Sequence, residues 1–282
     1  PPSAGSDTVG GRYIFHHMTY SSGVLNEDET EIVEETRVRW PIHEVGRNAD
    51  IFPEKFGTLL QANSALHLGA SHLHSNGIAE TTGHLEFGFI FHPKDYTPEY
   101  GNRAAVRLGN GGDIDVPGGA ADQEFHSFEV LEQHTKIVAF EPHLHAPGTR
   151  MCLEAIWGAN HFTLNCVGYD HSWVKQYVYE DDAAPLLPKG TILHIVGFLD
   201  TTAANRNLAD NRNWAGGGRR SVANMFIDLG YAVELTEEQF QAEMSERRAK
   251  MKSRNDYDVG CPLCWAPIPT EETAIEAGGD GP

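Results

Sequence analysis

The sequence predicts an all-β protein built from two antiparallel β-sandwich domains, followed by a C-terminal helix and an extended tail. Two observations carry this prediction. Short apolar stretches of about five to nine residues, rich in Val, Ile, Phe, Tyr and Thr, recur along the chain. Turn-forming residues separate them, and 29 glycines and 15 prolines are spread through the 282 residues. Lengths and breaks of this kind are typical of sandwich strands, and only one stretch has the features of a long helix.

The predicted strands follow one another along the chain, and several alternate between apolar and polar side chains. The clearest alternation runs from Thr30 to Trp40. The predicted strands are residues 11–19, 31–40, 85–91, 125–131, 135–140, 151–157, 162–167, 173–179, 192–199 and 222–233. Hydrophobic residues make up 40% of the chain and charged residues 22%, so a packed core is expected.

Two of these strands, 151–157 and 162–167, are joined by Gly158-Ala159-Asn160 and are predicted to form a hairpin. Cys152 and Cys166 are equally far from Ala159, so their register matches and a cross-strand disulfide is geometrically allowed. The other two cysteines form a CxxC at Cys261 and Cys264, for which a local disulfide, a metal half-site and free thiols remain open.

The helix is predicted from a capping-box pattern, Thr236-Glu237-Glu238-Gln239. Phe240 and Met244 follow among charged residues, so the helix is expected to run to about Ser253 and to pack on the outside of a sandwich. Glycine-rich loop segments near residues 110–121 predict a domain boundary. The predicted divisions are residues 1–115, 116–235 and 236–282.

Charge and composition restrict the function classes. Lys and Arg total 21 and Asp and Glu total 40, which gives a formal net charge of −19. A surface this negative repels phosphate, so nucleic acid and anionic membranes are not expected as partners. No apolar run reaches the roughly 18–20 residues of a membrane span. The even cysteine count and a start at Pro1, which indicates processing or a piece of a longer chain, predict an extracytoplasmic (periplasmic or secreted) location.

Histidine is unusually frequent, with 15 residues against 21 Lys and Arg, and such a surplus points to metal or proton chemistry. His143 and His145 have i, i+2 spacing, which presents two imidazoles on one face of a strand. His16 and His17 are adjacent, so they can share a metal ion only if the backbone bulges or the rings bend toward it.

Two further segments add candidate ligands. His72 and His74 repeat the i, i+2 spacing before a turn. Met225 stands at the start of a predicted strand and is a core residue unless it faces His143 and His145. A thioether with two imidazoles makes a soft, low-coordinate site that suits Cu(I) better than Zn, Mg or Ca.

Together and in this order, the motifs resemble the copper type II, ascorbate-dependent monooxygenases, the family of peptidylglycine α-hydroxylating and dopamine β-monooxygenases and their bacterial relatives. The resemblance extends from about Tyr13 to Phe240. The segments that carry it are His16-His17-Met18, the stretch from Ile51 to Gly77, Pro142 to His145, Tyr169 to Tyr177, Leu187 to Thr191, and the strand that begins at Met225.

The resemblance implies two packed, jelly-roll-like sandwiches that each hold one copper ion. For the first domain it assigns the copper to His16, His17 and His72, with His74 as the rival for the third position. This copper would store and deliver an electron, and ascorbate or another one-electron donor would recharge both ions. Three imidazoles tolerate both oxidation states, which fits that role.

For the second domain the resemblance assigns the copper to His143, His145 and Met225, the implied catalytic residues. This copper would activate O₂ beside a small organic substrate and hydroxylate an unactivated C–H bond. A methionine ligand favours the O₂-reactive Cu(I) state. The implied activity is that of a copper monooxygenase, an oxidoreductase.

The sequence departs from the family in two places. Only 15 residues precede His16, whereas the family's paired histidines lie behind several strands. The first sandwich is therefore expected to be reduced, completed by another chain through strand addition, or cut short because the chain is a fragment.

The second departure concerns the substrate. Peptide-hydroxylating members fix the substrate carboxylate with an arginine two residues before the HxH and with polar groups after the methionine. Here those places hold Glu141, Ile227 and Leu229. Glu141 would repel a carboxylate and pair with a cationic amine, so Glu141 is the candidate substrate-binding residue and peptide amidation is not expected.

Two other function classes remain open at this point. One is a non-catalytic twin sandwich with a vestigial or single copper site, acting as a subunit of a larger assembly. The other is a copper carrier that holds the metal without turnover. Metal content and ascorbate-dependent O₂ uptake distinguish these classes from the enzyme.

Overall fold

A computed structural model describes residues 15–44, 46–47, 49–50, 52, 55–73, 86–100, 103–104, 114–208, 210–212, 216–217 and 223–254. The chain divides into two compact units, Pro1–Asn102 and Arg103–Pro282. Antiparallel sheet dominates both, and the single α-helix of the described residues lies in the second unit. The predicted all-β class with a C-terminal helix is confirmed. The bounds at residues 115 and 235 stay predictions, and the predicted tail after residue 254 lies outside the described residues.

The first unit contains a four-stranded sheet built around its first strand. The elements are β1 (Phe15–Val24), a 3-10 helix (Glu34–Thr36), β2 (Val38–Arg39), β3 (His43–Glu44) and β4 (Ser64–Leu73). β4 pairs along β1, which also pairs with the two short strands β2 and β3. All of these pairings are antiparallel.

Two predicted strands of the first unit are wrong. The Thr30–Trp40 alternation gives only β2 and the 3-10 helix, because the Thr36 hydroxyl donates to the Val33 carbonyl (2.7 Å) and accepts the Val24 amide (2.9 Å), a local alternative to a ladder. Residues 86–91, within the predicted strand 85–91, form no regular structure.

The second unit is a β-sandwich. One sheet has the strand order β10-β9-β13-β6 and the other β11-β7-β15-β5, with β12 also on β7 and a separate β14-β8 ribbon. The strands are β5 (Arg103–Ala104), β6 (Gln123–Val130), β7 (His134–Phe140), β8 (Pro142–Leu144), β9 (Gly148–Trp157), β10 (Asn160–Gly168), β11 (Tyr177–Val178), β12 (Leu186–Leu187), β13 (Ile192–Leu199), β14 (Phe226–Asp228) and β15 (Tyr231–Leu235).

Alternate residues of the two large sheets fill one core. Leu153 and Ile195 reach it from the first sheet, and Ile137 and Ala232 reach it from the second. The predicted strand 192–199 coincides with β13, whereas the predicted strand 173–179 is reduced to the two residues of β11. The predicted strand 222–233 is divided into β14 and β15 by Leu229 and Gly230.

The predicted hairpin and its disulfide are both confirmed. β9 and β10 pair, and Cys152 is bonded to Cys166. The turn is shorter than predicted, because Trp157 and Asn160 already pair across Gly158 and Ala159. Such a turn alone would set Cys152 opposite residue 165. A register shift between residues 163 and 165 adds one residue to β10, and this bulge brings the two cysteines opposite each other. Cys261 and Cys264 lie outside the described residues.

The helix α1 (Glu237–Arg254) begins at the predicted capping box. The Gln239 amide donates to the Thr236 hydroxyl (3.2 Å), and the Gln239 side chain accepts the Thr236 amide (2.9 Å). Phe240 and Met244 are fully buried against β7, β12 and β15. Within the described part of the chain, no helix is long and apolar enough to cross a membrane.

Candidate metal centres

The ligand candidates of the second unit lie on or directly beside the ribbon of β8 and β14. Ile227 is the ladder partner of His143, and the ladder ends at Phe226 and Leu144. Met225 and His145 are the next residues beyond the two strands, and the same register, if continued by one position, would set them opposite each other. Side chains alternate along a strand and cross-strand partners share a face. Ile227 and His143 therefore share one face of the ribbon, and a continued register would add His145 and Met225 to that face.

The opposite face of the ribbon belongs to the core of the sandwich. Leu144 and Phe226 are cross-strand partners and both are part of the core cluster. Gly197 on β13 leaves room for them, since a Cβ there would lie 2.5 Å from the Phe226 ring. The imidazoles thus point away from the core, yet His143 and His145 are only 3% and 2% exposed. The two imidazoles are shielded from water, whereas Met225 and Ile227 are partly buried.

A hydrogen bond fixes the tautomer of His145. Its Nδ1 lies 3.0 Å from the carbonyl oxygen of Ala223. Because a carbonyl only accepts, Nδ1 carries the proton and Nε2 keeps its lone pair. The partner of this bond lies two residues before Met225, so the segment that carries the thioether also orients the imidazole. The rings of His143 and His145 are 5.4 Å apart, centroid to centroid.

The loop after β10 approaches the same histidines. The Tyr169 hydroxyl donates to the carbonyl of Leu144 in β8. The His171 ring lies 6.4 Å from the His145 ring. His171 is thus a neighbour of the pair and can influence its environment.

Sequence reasoning missed Asp228, which secures the end of the ribbon. Its Oδ1 accepts the backbone amides of Glu141 (3.0 Å) and Gly230 (2.7 Å), and the side chain is fully buried. Gly230 is required there, because a Cβ would lie 2.0 Å from the carbonyl oxygen of Ala139. An Asp-x-Gly turn was visible in the sequence as the only signal.

Glu141, the predicted substrate-binding residue, links β7 to β8. Its side chain is fully buried. Its carbonyl accepts the amide of Leu229 at 2.9 Å, which ties it to the β14–β15 connection. Any substrate amine would have to meet this carboxylate inside the protein, and the substrate role stays a prediction.

In the first unit, the ladder of β1 and β4 sets His17 directly opposite His72. Phe15 is opposite Leu73, so β1 advances two residues where β4 advances one, and His16 is the extra residue. A β-bulge of this kind redirects a side chain. It is the irregularity that adjacent histidines need if they are to share one metal ion. His74, the rival ligand, lies outside the described residues.

Glu44 on β3 is a second residue that sequence reasoning missed. It is the cross-strand partner of His17 on the side away from β4, and its side chain is fully buried. A carboxylate beside a candidate ligand histidine favours an imidazole in a defined orientation. Its neighbour His43 pairs with Met18 instead, and burial lowers the pKa of His43 below its ordinary value.

Comparison with known proteins adds little to this picture. No protein-family model matches the chain, and no curated protein matches it. Among solved structures, two particles of infectious bursal disease virus are similar over 90% and 86% of this chain and 72% and 66% of theirs, at 8% and 7% identity with TM-scores of 0.22 and 0.24. The D431N mutant VP2 protein of the same virus is similar over 84% of this chain and 54% of its own, at 9% identity with a TM-score of 0.19. Because all of these TM-scores are below 0.5, the likenesses bear on neither fold nor function.

Proposed function

We propose that this protein is a copper-dependent monooxygenase that hydroxylates a C–H bond of a small organic substrate with O₂ and a one-electron reductant such as ascorbate. The observation that carries the proposal is the register of the β8–β14 ribbon. Continued by one residue on each strand, this register would give His143, His145 and Met225 a common face, although Met225 is some eighty positions further along the chain. The thioether and two imidazoles form a donor set that suits Cu(I).

The residues of the ribbon fit a copper ion. His145 presents Nε2 as a donor because Ala223 holds its Nδ1 proton. His143 and His145 are buried, which keeps both imidazoles out of solvent. Copper, when bound there, supplies one-electron redox chemistry and reactivity toward O₂. The protein's own contribution is to bury the two imidazoles of the donor set and to hold the ends of the strands together through Asp228.

The first unit would hold the second copper on His16, His17 and His72. The cross-strand pairing of His17 with His72 and the bulge at His16 support this assignment. Glu44 would be the group that steadies His17. An all-nitrogen site of this kind is suited to storing an electron, because imidazoles accommodate both oxidation states of copper.

Two further parts of the proposal concern substrate and location. Glu141, buried beside the ribbon, favours a cationic amine over a carboxylate as its substrate group. The Cys152–Cys166 disulfide supports an oxidising, extracytoplasmic compartment.

The test is copper content together with ascorbate-dependent O₂ uptake of the full chain. We expect two copper ions per chain and O₂ consumption, and His143→Ala should remove one copper and abolish uptake. His67→Ala is the matched control, because His67 is an exposed histidine of β4 and should change neither quantity. One copper ion without O₂ uptake would indicate a copper carrier or a scaffold with a single copper site instead of an enzyme, and no copper at all would indicate a scaffold. Uptake that survives in His143→Ala would overturn the assignment of the ribbon.

A further inference from the structure

A separate group of metal-binding side chains lies on the sheet face that points away from the core. Glu154 on β9 and His194 on β13 are direct cross-strand partners. His161 on β10 reaches the same carboxylate from the other side. His194 Nδ1 and His161 Nε2 each lie 2.8 Å from Glu154 Oε2. We call these three residues the outer-face cluster.

We propose that the outer-face cluster binds a divalent transition-metal ion of the Zn²⁺ class, independently of the copper sites. One ligand atom from each residue lies within 4.8 Å of those of the other two. A single ion with bonds of about 2.0–2.2 Å fits this spread after small side-chain rotations. Two imidazoles and one carboxylate form a nitrogen–oxygen donor set that zinc accepts and that leaves a position for water.

The neighbouring strand β6 supports the cluster. His126 Nδ1 lies 3.0 Å from His194 Nε2, and the Phe128 ring stacks on the His194 ring at 4.1 Å with an angle of 6° between the planes. A ligating histidine is usually oriented by a hydrogen bond from its other ring nitrogen. When a metal ion replaces the proton on His194 Nδ1, Nε2 carries the proton and donates it to His126.

The strands that carry the cluster are held together before any ion binds. The Cys152–Cys166 disulfide joins β9 to β10 two residues from Glu154, and β9 also pairs with β13 along its length. A frame fixed before binding reduces the ordering cost of binding. The His161 side chain is 54% exposed, so an ion can enter from solvent.

The test is a titration of the copper-free full chain with Zn²⁺, read by competition with a chromophoric chelator, with Co²⁺ absorption as a second readout. We expect His161→Ala and Glu154→Gln each to remove one bound ion per chain. His126→Ala should keep the ion and weaken its binding by about 10–100-fold. His67→Ala should bind as the unmodified chain does.

Two further results separate this site from the copper sites and from misfolding. His143→Ala with His145→Ala should keep the ion at the outer-face cluster. Since His161 is largely exposed, His161→Ala should retain the circular dichroism spectrum of the unmodified chain. This variant therefore tests the zinc site even if Glu154→Gln fails to fold. Equal stoichiometry and affinity in His161→Ala and the unmodified chain would overturn the proposal.

Discussion

The candidate copper ligands of the two units are held in different ways. In the second unit, His143 and His145 stand on a short ribbon whose other face, Leu144 and Phe226, is part of the core. In the first unit, His17 stands on a long ladder whose partner strand β4 exposes Leu68 to solvent. The first arrangement is fixed by packing, and the second depends on backbone pairing and a bulge.

The two candidate sites are therefore sensitive to different substitutions. A ribbon tied to a close-packed core cannot shift without opening a cavity. A ladder whose partner strand β4 exposes its side chains is less strongly tied to its register, because that strand buries little apolar surface to oppose slippage. The following substitutions test this contrast, beginning with the largest expected effect.

Phe226→Ala should destabilise the second unit by about 3–5 kcal/mol, because it empties a core position beneath the ligand face. Leu68→Ala, its counterpart on the exposed strand β4, should change the free energy of unfolding by less than about 0.5 kcal/mol. Urea unfolding followed by circular dichroism measures both. Similar losses for the two variants would show that the ladder is as firmly packed as the ribbon.

Asp228→Ala should cost about 2–4 kcal/mol, because two buried backbone amides lose their acceptor. Asp228→Asn retains an oxygen at the same place and should cost less than half as much. Thermal unfolding of the two variants side by side measures the difference. If Ala and Asn are equivalent, the carboxylate does not secure the ribbon through these hydrogen bonds.

Replacing both Cys152 and Cys166 by serine should lower the free energy of unfolding by about 2–3 kcal/mol, because the disulfide closes a loop in the unfolded chain. The same variant should weaken Zn²⁺ binding at the outer-face cluster while leaving the ribbon's copper in place. Denaturant unfolding and the Zn²⁺ titration provide the two readouts. Loss of the copper instead would mean that the sandwich as a whole depends on this bond.

Thr236→Ala should cost about 1 kcal/mol, because the capping box of α1 loses its hydroxyl. Ser245→Ala, an exposed change within the same helix, is the control and should cost nothing measurable. Thermal unfolding distinguishes them. Equal losses of stability in the two variants would show that the Thr236 hydroxyl does not stabilise the start of α1.

Local signals were sufficient for part of the fold. The strand Ile192–Leu199 and the start of α1 at Glu237 follow from apolar content and a capping pattern. The strand β4 was not predicted, because Ser64–Leu73 is rich in small residues and its strand state comes from pairing with β1.

The candidate sites were likewise only partly predictable from local sequence signals. The i, i+2 spacing of His143 and His145 gave their common face, because a strand has a fixed period. Glu44 and the outer-face cluster could not be predicted, since their neighbours are set by which strands pair and in which register. Even the Cys152–Cys166 pairing depends on a bulge in β10, which compensates for a turn shorter than the predicted one.

The most direct test of the central claim is the X-ray absorption spectrum of the Cu(I)-loaded protein. We expect a copper–sulfur scattering path that disappears in Met225→Leu. The path should persist in Met18→Leu, which removes the rival sulfur that follows His17. A spectrum without sulfur in the unmodified chain, or one whose sulfur path survives in Met225→Leu, would contradict the claim that Met225 completes the site of His143 and His145.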